Sequence, residues 1–267
     1  MPLPSYRMEV SALPLLQIEN LTVRFGGLIA VNDFSMNVED GVIHSLIGPN
    51  GAGKTTVFNA ITGVVRPHSG RILLGNKNLT REQPHKIVEA GICRTFQSVS
   101  VFKYLTVLEN LYLGYHSKLK LNLFDEFSPS KRRKFTWEMY TRAVFVADFL
   151  GLKSRLLSYA GSIPFMAQKL VEMGRALMSN PKLLLLDEPA AGLTDVETEQ
   201  MKEIILHLKN EMKVTVLLVE HDMNVVMNIS DTVTVMDFGK KISEGKPEDV
   251  RRDPMVIKAY LGESESA

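Results

Sequence analysis

The hydrophobic positions change period several times along the chain, and the changes divide it. Leu15–Arg24 and Phe34–Val38 alternate or carry β-branched residues, as short strands do. After Gly41, Val42–Ile47 reads as an apolar run, His44-Ser45 apart, which suits a strand buried on both faces. Gly48–Gly53 follows, then a predicted helix over Lys54–Thr62 with Gly63 placed to stop it. Gly70–Leu74 predicts another strand. From Leu105 to Leu177 the spacing is helical. Thr106 and Glu109 make a capping box, and Leu108, Leu111, Tyr112 and Tyr115 share one face. Ser130–Leu150 sets Phe135, Met139, Ala143, Val146 and Leu150 at helical spacing, behind a basic run, Lys131–Lys134, that reads as a solvated helix start. Strand-like runs return at Leu183–Leu186, Val214–Val219 and Thr232–Met236, with helices between. Thr194 and Glu197 form a second capping box, opening a helix that turns Met201, Ile204, Ile205, Leu208 and Met212 inward. Strands alternating with helices predict an α/β fold, a mostly parallel sheet covered on both faces, here with a helical block inserted. The tail Gly262–Ala267 reads as frayed.

Composition narrows the picture. The chain has 267 residues, 45% of them hydrophobic, enough for a sizeable core. Lys and Arg number 31 against 30 Asp and Glu, so no nucleic-acid partner is expected from the total charge. Cys93 is the one cysteine, which excludes an intrachain disulfide and fits a cytosolic setting. Residues 1–17 lack the apolar stretch of a signal peptide. No run approaches the roughly 20 apolar residues that a membrane helix needs, so membrane association is expected only through a partner.

Gly48-Pro49-Asn50-Gly51-Ala52-Gly53-Lys54-Thr55 matches G-x-x-x-x-G-K-[ST] completely, after a predicted strand and before a predicted helix. Its glycines let the backbone curl so that successive N–H groups point at a β-phosphate, and the helix N-terminus adds positive partial charge. Lys54 supplies a point charge to the β- and γ-phosphates. Thr55 ligates Mg2+, and Thr56 lies beside it for the α-phosphate. The expected ligands are therefore ATP and Mg2+. Leu183–Leu186 ends in Asp187-Glu188 at the carboxyl end of a predicted strand, where ligands of open α/β sheets bind. Asp187 is expected to hold Mg2+, mostly through water, and Glu188 to polarise the attacking water as general base. Gln97 and His221 each lie just past a strand-like segment, within possible reach of the γ-phosphate or its metal.

The order is distinctive: phosphate loop, Gln97, helical block, Leu-Leu-Leu-Leu-Asp-Glu-Pro189, Ala191-Gly-Leu-Thr-Asp195, then Val219-Glu-His-Asp222. It resembles the nucleotide-binding subunits of ABC transporters across almost the whole chain. It looks most like those powering importers of branched-chain amino acids, whose relatives carry urea, amides and other small organic solutes, through Arg24-Phe25-Gly26-Gly27-Leu28, Ala30-Val31, Leu105–Leu111, Asp187–Gly192, Val219–Met223 and the ending Ile257–Gly262. The resemblance implies a P-loop NTPase (RecA-like) fold with an antiparallel β subdomain. It implies a single domain over 15–262, with the core in 15–97 and 179–262 and a helical subdomain over 98–178. Phe25 would stack on adenine. Gln97 would sense Mg2+ and link the site to a membrane partner. Glu188 would be the base, His221 would steady the γ-phosphate, and Asp195 would communicate across a dimer interface. The implied partners are a second ATP-binding subunit (a different chain), integral membrane permeases and, indirectly, a solute-binding protein. The implied location is the cytoplasmic face of the plasma membrane. Val101, Phe102, Leu105 and Leu108 are candidates to receive the permease.

One stretch departs from type. The family signature, Leu-Ser-Gly-Gly-Gln or a relative of it, corresponds to the stretch 162–168, with Pro164 where a Ser hydroxyl is common and Met166 where a second glycine is expected. A Met side chain there is expected to restrict backbone approach to the opposite subunit's nucleotide and to make positive φ costly. That raises an asymmetric pair of sites, or a non-hydrolysing clamp, as alternatives to two competent sites. A kinase or GTPase would share the phosphate loop but has no need of Asp187-Glu188-Pro189 with His221 after the next strand.

Overall fold

A computed structural model describes residues 13–95, 100–115 and 129–261. The roles given to Gln97 and to the tail Gly262–Ala267 fall outside them. The chain opens with a hairpin, β1 (Leu16–Phe25) and β2 (Leu28–Val38), and then β3 (Ile43–Ile47) leads into α1 (Lys54–Ile61). β4 (Ser69–Leu74), β5 (Lys77–Asn78), α2 (Pro84–Ala90) and β6 (Ile92–Arg94) precede the helical block of α3 (Val107–Gly114), α4 (Pro129–Phe149) and α5 (Phe165–Met178). The remainder is β7 (Leu183–Asp187), α6 (Asp195–Asn210), β8 (Thr215–Val219), α7 (Met223–Ile229), β9 (Thr232–Asp237), β10 (Lys240–Gly245), α8 (Pro247–Arg252) and α9 (Pro254–Leu261).

The strands make two sheets. One is antiparallel, in the order β2-β1-β4-β5; the other runs β10-β9-β3-β8-β7-β6 and is parallel except at β10. β3, β7 and β8 are buried at every residue, as strands covered on both faces are; β7 and β8 are mainly apolar, and in β3 the buried His44 and Ser45 pair with the Thr234 and Ser230 hydroxyls at 2.7 and 2.6 Å. Their alternate residues serve different cores. Leu184, Leu186, Val216 and Leu218 join the cluster shared with the helical block, α6 and α7. Leu183, Leu185, Leu217 and Val219 join the cluster that holds Val57, Phe58 and Ile61 of α1 and the inner face of the antiparallel sheet. α1, whose first residues end the phosphate loop, thus lies between two sheets, each fully buried aliphatic side chain contributing on the order of 1.5–3 kcal/mol.

Both capping boxes form: the Thr106 and Thr194 hydroxyls accept from the Glu109 and Glu197 N–H groups, and each glutamate accepts back from its cap. Gly63 follows the end of α1 at φ 72°. The second strand starts at Leu28, not Phe34, because the polar pair Asn32-Asp33 falls inside it at a bulge. There Asn20 and Asp33 take φ 49° and 54°, and Asn20 Nδ2 donates to Asp33 Oδ1 at 2.8 Å. Asn and Asp tolerate this left-handed region, so the polar interruption bends the strand without ending it.

Candidate nucleotide site

Parallel pairing decides where the chemistry gathers. β3, β8 and β7 are successive neighbours running the same way, so Gly48, His221 and the pair Asp187-Glu188 leave the sheet at one edge. Gly48 adopts φ 151°, and a Cβ there would lie 2.0 Å from the Met236 carbonyl oxygen. Gly53, at φ 106°, leaves room for the Ala30 carbonyl, 2.6 Å from where its Cβ would be. The loop is therefore wedged between β9 and β2, and only glycine fits these two positions. Gly53 caps α1 without any side-chain bond, and no acidic residue sits in the helix's first turn. The helix N-terminus is thereby kept positive toward the loop. Lys54 is buried, and its Nζ donates to the Gly48 and Pro49 carbonyls at 2.6 and 2.9 Å, while Thr55 is exposed and Thr56 half-buried. Asn50 and Gly51 are exposed at the tip; Ala52 is buried and bound through its carbonyl to the Gly239 N–H at 2.9 Å.

Asp187 is almost fully buried, and a partner the sequence did not announce neutralises it. Arg94, at the end of β6, places Nη2 2.5 Å from Asp187 Oδ2, with Nη1 2.6 Å from Asn59 Oδ1 of α1 and its guanidinium 5.5 Å from the centre of the Phe58 ring. One planar cation thus ties β6, the end of β7 and α1 together. The available signal was a charged residue in an otherwise apolar strand-like run, but nothing local names a partner 93 positions away. Thr55 and Asp187 supply a hydroxyl and one carboxylate. Mg2+ carried on a nucleotide takes such a set, because it keeps several waters and accepts phosphate oxygens as ligands.

Glu188 and His221 meet, with Oε1 and Nε2 3.0 Å apart. Glu188 holds φ 50°, a left-handed backbone that costs a non-glycine residue on the order of 1 kcal/mol or more. Its N–H donates to the Val219 carbonyl at 2.8 Å, and its carbonyl accepts from Ala191 at 3.1 Å. Glu220, also missed in the sequence, is buried. It accepts from the Ala190 N–H at 2.8 Å and the His221 N–H at 3.0 Å, so one carboxylate fixes the loops after β7 and β8. Burial pushes its carboxyl above the ordinary range against the lowering effect of those N–H donors. Phe25 is 49% exposed at the tip of the hairpin whose second strand carries Ala30 against Gly53. Asp195 is exposed at the start of α6.

The part of the Met166 expectation that concerns positive φ is corrected. Met166 is the second residue of α5, 8% exposed, packed in the cluster of the helical block, and absent from the positive-φ residues. Met166, Leu170, Met173 and Leu177 form the buried stripe of α5, so the side chain packs inward and the backbone there is ordinary helix. Phe165 is the side chain presented there, 46% exposed. The missing hydroxyl stands as expected: Pro164 occupies the cap with no side-chain bond.

A phosphate loop on one parallel strand, an acidic pair two strands across and a histidine between them define a P-loop nucleoside-triphosphatase. The ABC transporter family model matches residues 31–191, and that of the branched-chain amino acid ATP-binding cassette transporters matches residues 240–266. The high-affinity branched-chain amino acid transport ATP-binding protein BraF of Pseudomonas aeruginosa is 43% identical over 94% of this chain and 99% of its own. LivG of Escherichia coli, of the same description, is 43% identical with the same coverage. Among solved structures, the ADP conformation of an ATP-binding cassette of an ABC transporter superposes with TM-score 0.82 at 34% identity, covering 94% of this chain and 99% of that one. A nucleotide-free cassette gives 0.80 at 35% identity, covering 93% and 99%. The chain belongs to the ABC transporter family. It is an ATP-binding cassette with ATPase activity coupled to transport.

Proposed function

We propose that this cassette powers the import of branched-chain amino acids, working with permease subunits at the cytoplasmic face of the membrane and with a second cassette. The observation that carries the catalytic half is the 3.0 Å contact of Glu188 with His221 at the sheet edge that also bears the phosphate loop. The backbone N–H groups of Gly48–Gly53 cradle the β-phosphate. Lys54 exchanges the Gly48 and Pro49 carbonyls for β- and γ-phosphate oxygens, a trade of neutral acceptors for charged ones. Thr56 binds the α-phosphate, and adenine stacks on Phe25. Thr55, Asp187 and Gln97 hold Mg2+, which when bound neutralises charge on the transferring phosphoryl group. Glu188 accepts the proton of the attacking water, and His221 orients that water and the γ-phosphate. Two cassettes closing over two nucleotides convert differential binding into work on the permeases.

The relatives' descriptions support the solute. Among the described residues no helix is long and apolar enough to cross a membrane, which agrees with attachment through other subunits. For the permease contact, Phe102 is exposed, while Val101 and Leu108 pack on the core of the helical block. A cavity of about 610 Å³, lined by Thr62, Val64, Pro84, His85, Val88 and Leu113 among others, is the better receptacle for a permease helix. The test is reconstitution with the permeases and solute-binding protein. Leucine, isoleucine and valine are expected to stimulate ATP hydrolysis and to be transported. Stimulation by urea or amides alone would reassign the solute.

A further inference from the structure

Lys169 is a buried cation on the inward side of α5, and its Nζ reaches out of the helical block to the loop after β7. It donates to the Pro189 carbonyl at 3.0 Å and to the Glu188 carbonyl at 3.3 Å. They are the carbonyl of the residue whose left-handed backbone aims its carboxylate at His221, and the carbonyl of the residue after it. Glu220 holds the same loop by the next N–H, that of Ala190. Two buried, opposite charges from different elements therefore grip one strained turn, and only the lysine comes from the helical block.

We propose that Lys169 is a positioning residue that couples the orientation of the helical block to the placement of the general base. The signature helix of a chain thus reports to that chain's own Glu188, besides serving the opposite nucleotide. A strained left-handed residue persists only while its surroundings over-determine it. Loss of the lysine removes two charge-assisted bonds to the turn, and Glu188 is free to relax toward ordinary backbone angles. Nucleotide affinity, set by the phosphate loop, does not pass through this contact.

The inference rests on Glu188 being the base, so Glu188→Gln is measured in parallel in the assembled transporter. Lys169→Met is expected to lower kcat about tenfold, the scale of one lost charge-assisted bond, with KM for ATP changed less than about twofold. Lys169→Arg, which keeps the charge and donors, is expected to restore most of kcat. Hydrogen exchange at the Ala191 amide, bonded to the Glu188 carbonyl, is expected to quicken in Lys169→Met alone. Wild-type kcat in Lys169→Met with an inactive Glu188→Gln overturns the coupling and leaves the base assignment standing. Unchanged turnover in Glu188→Gln overturns the assignment itself. If Lys169→Met does not fold, Lys169→Gln is judged by the same criteria. Failure of both to fold, or parallel loss of kcat and ATP binding, makes the residue merely structural and overturns the proposal.

Discussion

Arg94→Met removes one half of a nearly dry ion pair. The side chains of Arg94 and Asp187 are 12% and 2% exposed, and the contact is 2.5 Å. Breaking a buried pair from one side leaves an uncompensated charge and costs about 3–5 kcal/mol, far more than the pair's net worth against an apolar replacement. The bond to Asn59 and the stack on Phe58 are lost as well, each of order 1 kcal/mol. The expected destabilisation is therefore about 5–7 kcal/mol, a large fraction of the roughly 5–15 kcal/mol that holds a domain together. Asp187→Asn in the same background removes the stranded charge, so the double variant is expected to regain about 2 kcal/mol or more over the sum of the singles. Arg94→Lys keeps the charge but cannot span Asn59 and Asp187 with one planar fork, and it is expected to fall between. Urea unfolding of the four corners of the cycle, read at constant m-value, measures this directly. Additivity within about 0.5 kcal/mol would refute the claim that Arg94 compensates Asp187.

Two further predictions follow from buried side chains. Met166→Gly, which a signature-like reading would regard as a repair, is expected to destabilise the chain by about 3 kcal/mol by emptying a core position and adding a helical glycine; a thermal melt within a degree or two of wild type would place the side chain elsewhere. His44 is buried on β3, and its Nε2 lies 2.7 Å from the Thr234 hydroxyl, which itself donates to Glu244, so Nε2 carries the hydrogen of a neutral ring. Burial first, with Lys241 adding to it and Glu244 opposing, lowers its pKa from 6.5 to about 4. Below 6.5 the unfolded chain takes up a proton that the folded chain refuses until about 4. This residue therefore removes stability as pH falls through that window, by up to about 3 kcal/mol. His44→Gln is expected to flatten the decline, as denaturation midpoints between the two pH limits would record.

Much of this molecule was legible in one dimension because its signals are local. The phosphate loop needs only spacing and glycine. The strand that carries Asp187-Glu188 is an unbroken apolar run, and the two capping boxes are four-residue patterns. What escaped has long-range causes. Arg94 acts on Asp187 from the neighbouring strand, 93 positions away in sequence, and Lys169 and Glu220 act on backbone atoms of one turn, which no side-chain pattern displays. Met166 differs for another reason. Its spacing with Leu170, Met173 and Leu177 marks a core position, a periodic signal that the short signature does not contain. The hairpin strand was cut short because a polar Asn-Asp pair reads as a turn, and here it is a bulge.

The central claim is that the edge shared by β3, β8 and β7 binds ATP with one set of groups and hydrolyses it with another. Glu188→Gln in the assembled transporter tests it most directly, by ATP affinity and single-turnover hydrolysis on the same sample. ATP affinity within about threefold of wild type, with hydrolysis slowed at least about a hundredfold, is the expected result for loss of a general base. Hydrolysis at the wild-type rate, or loss of ATP binding together with hydrolysis, would contradict it.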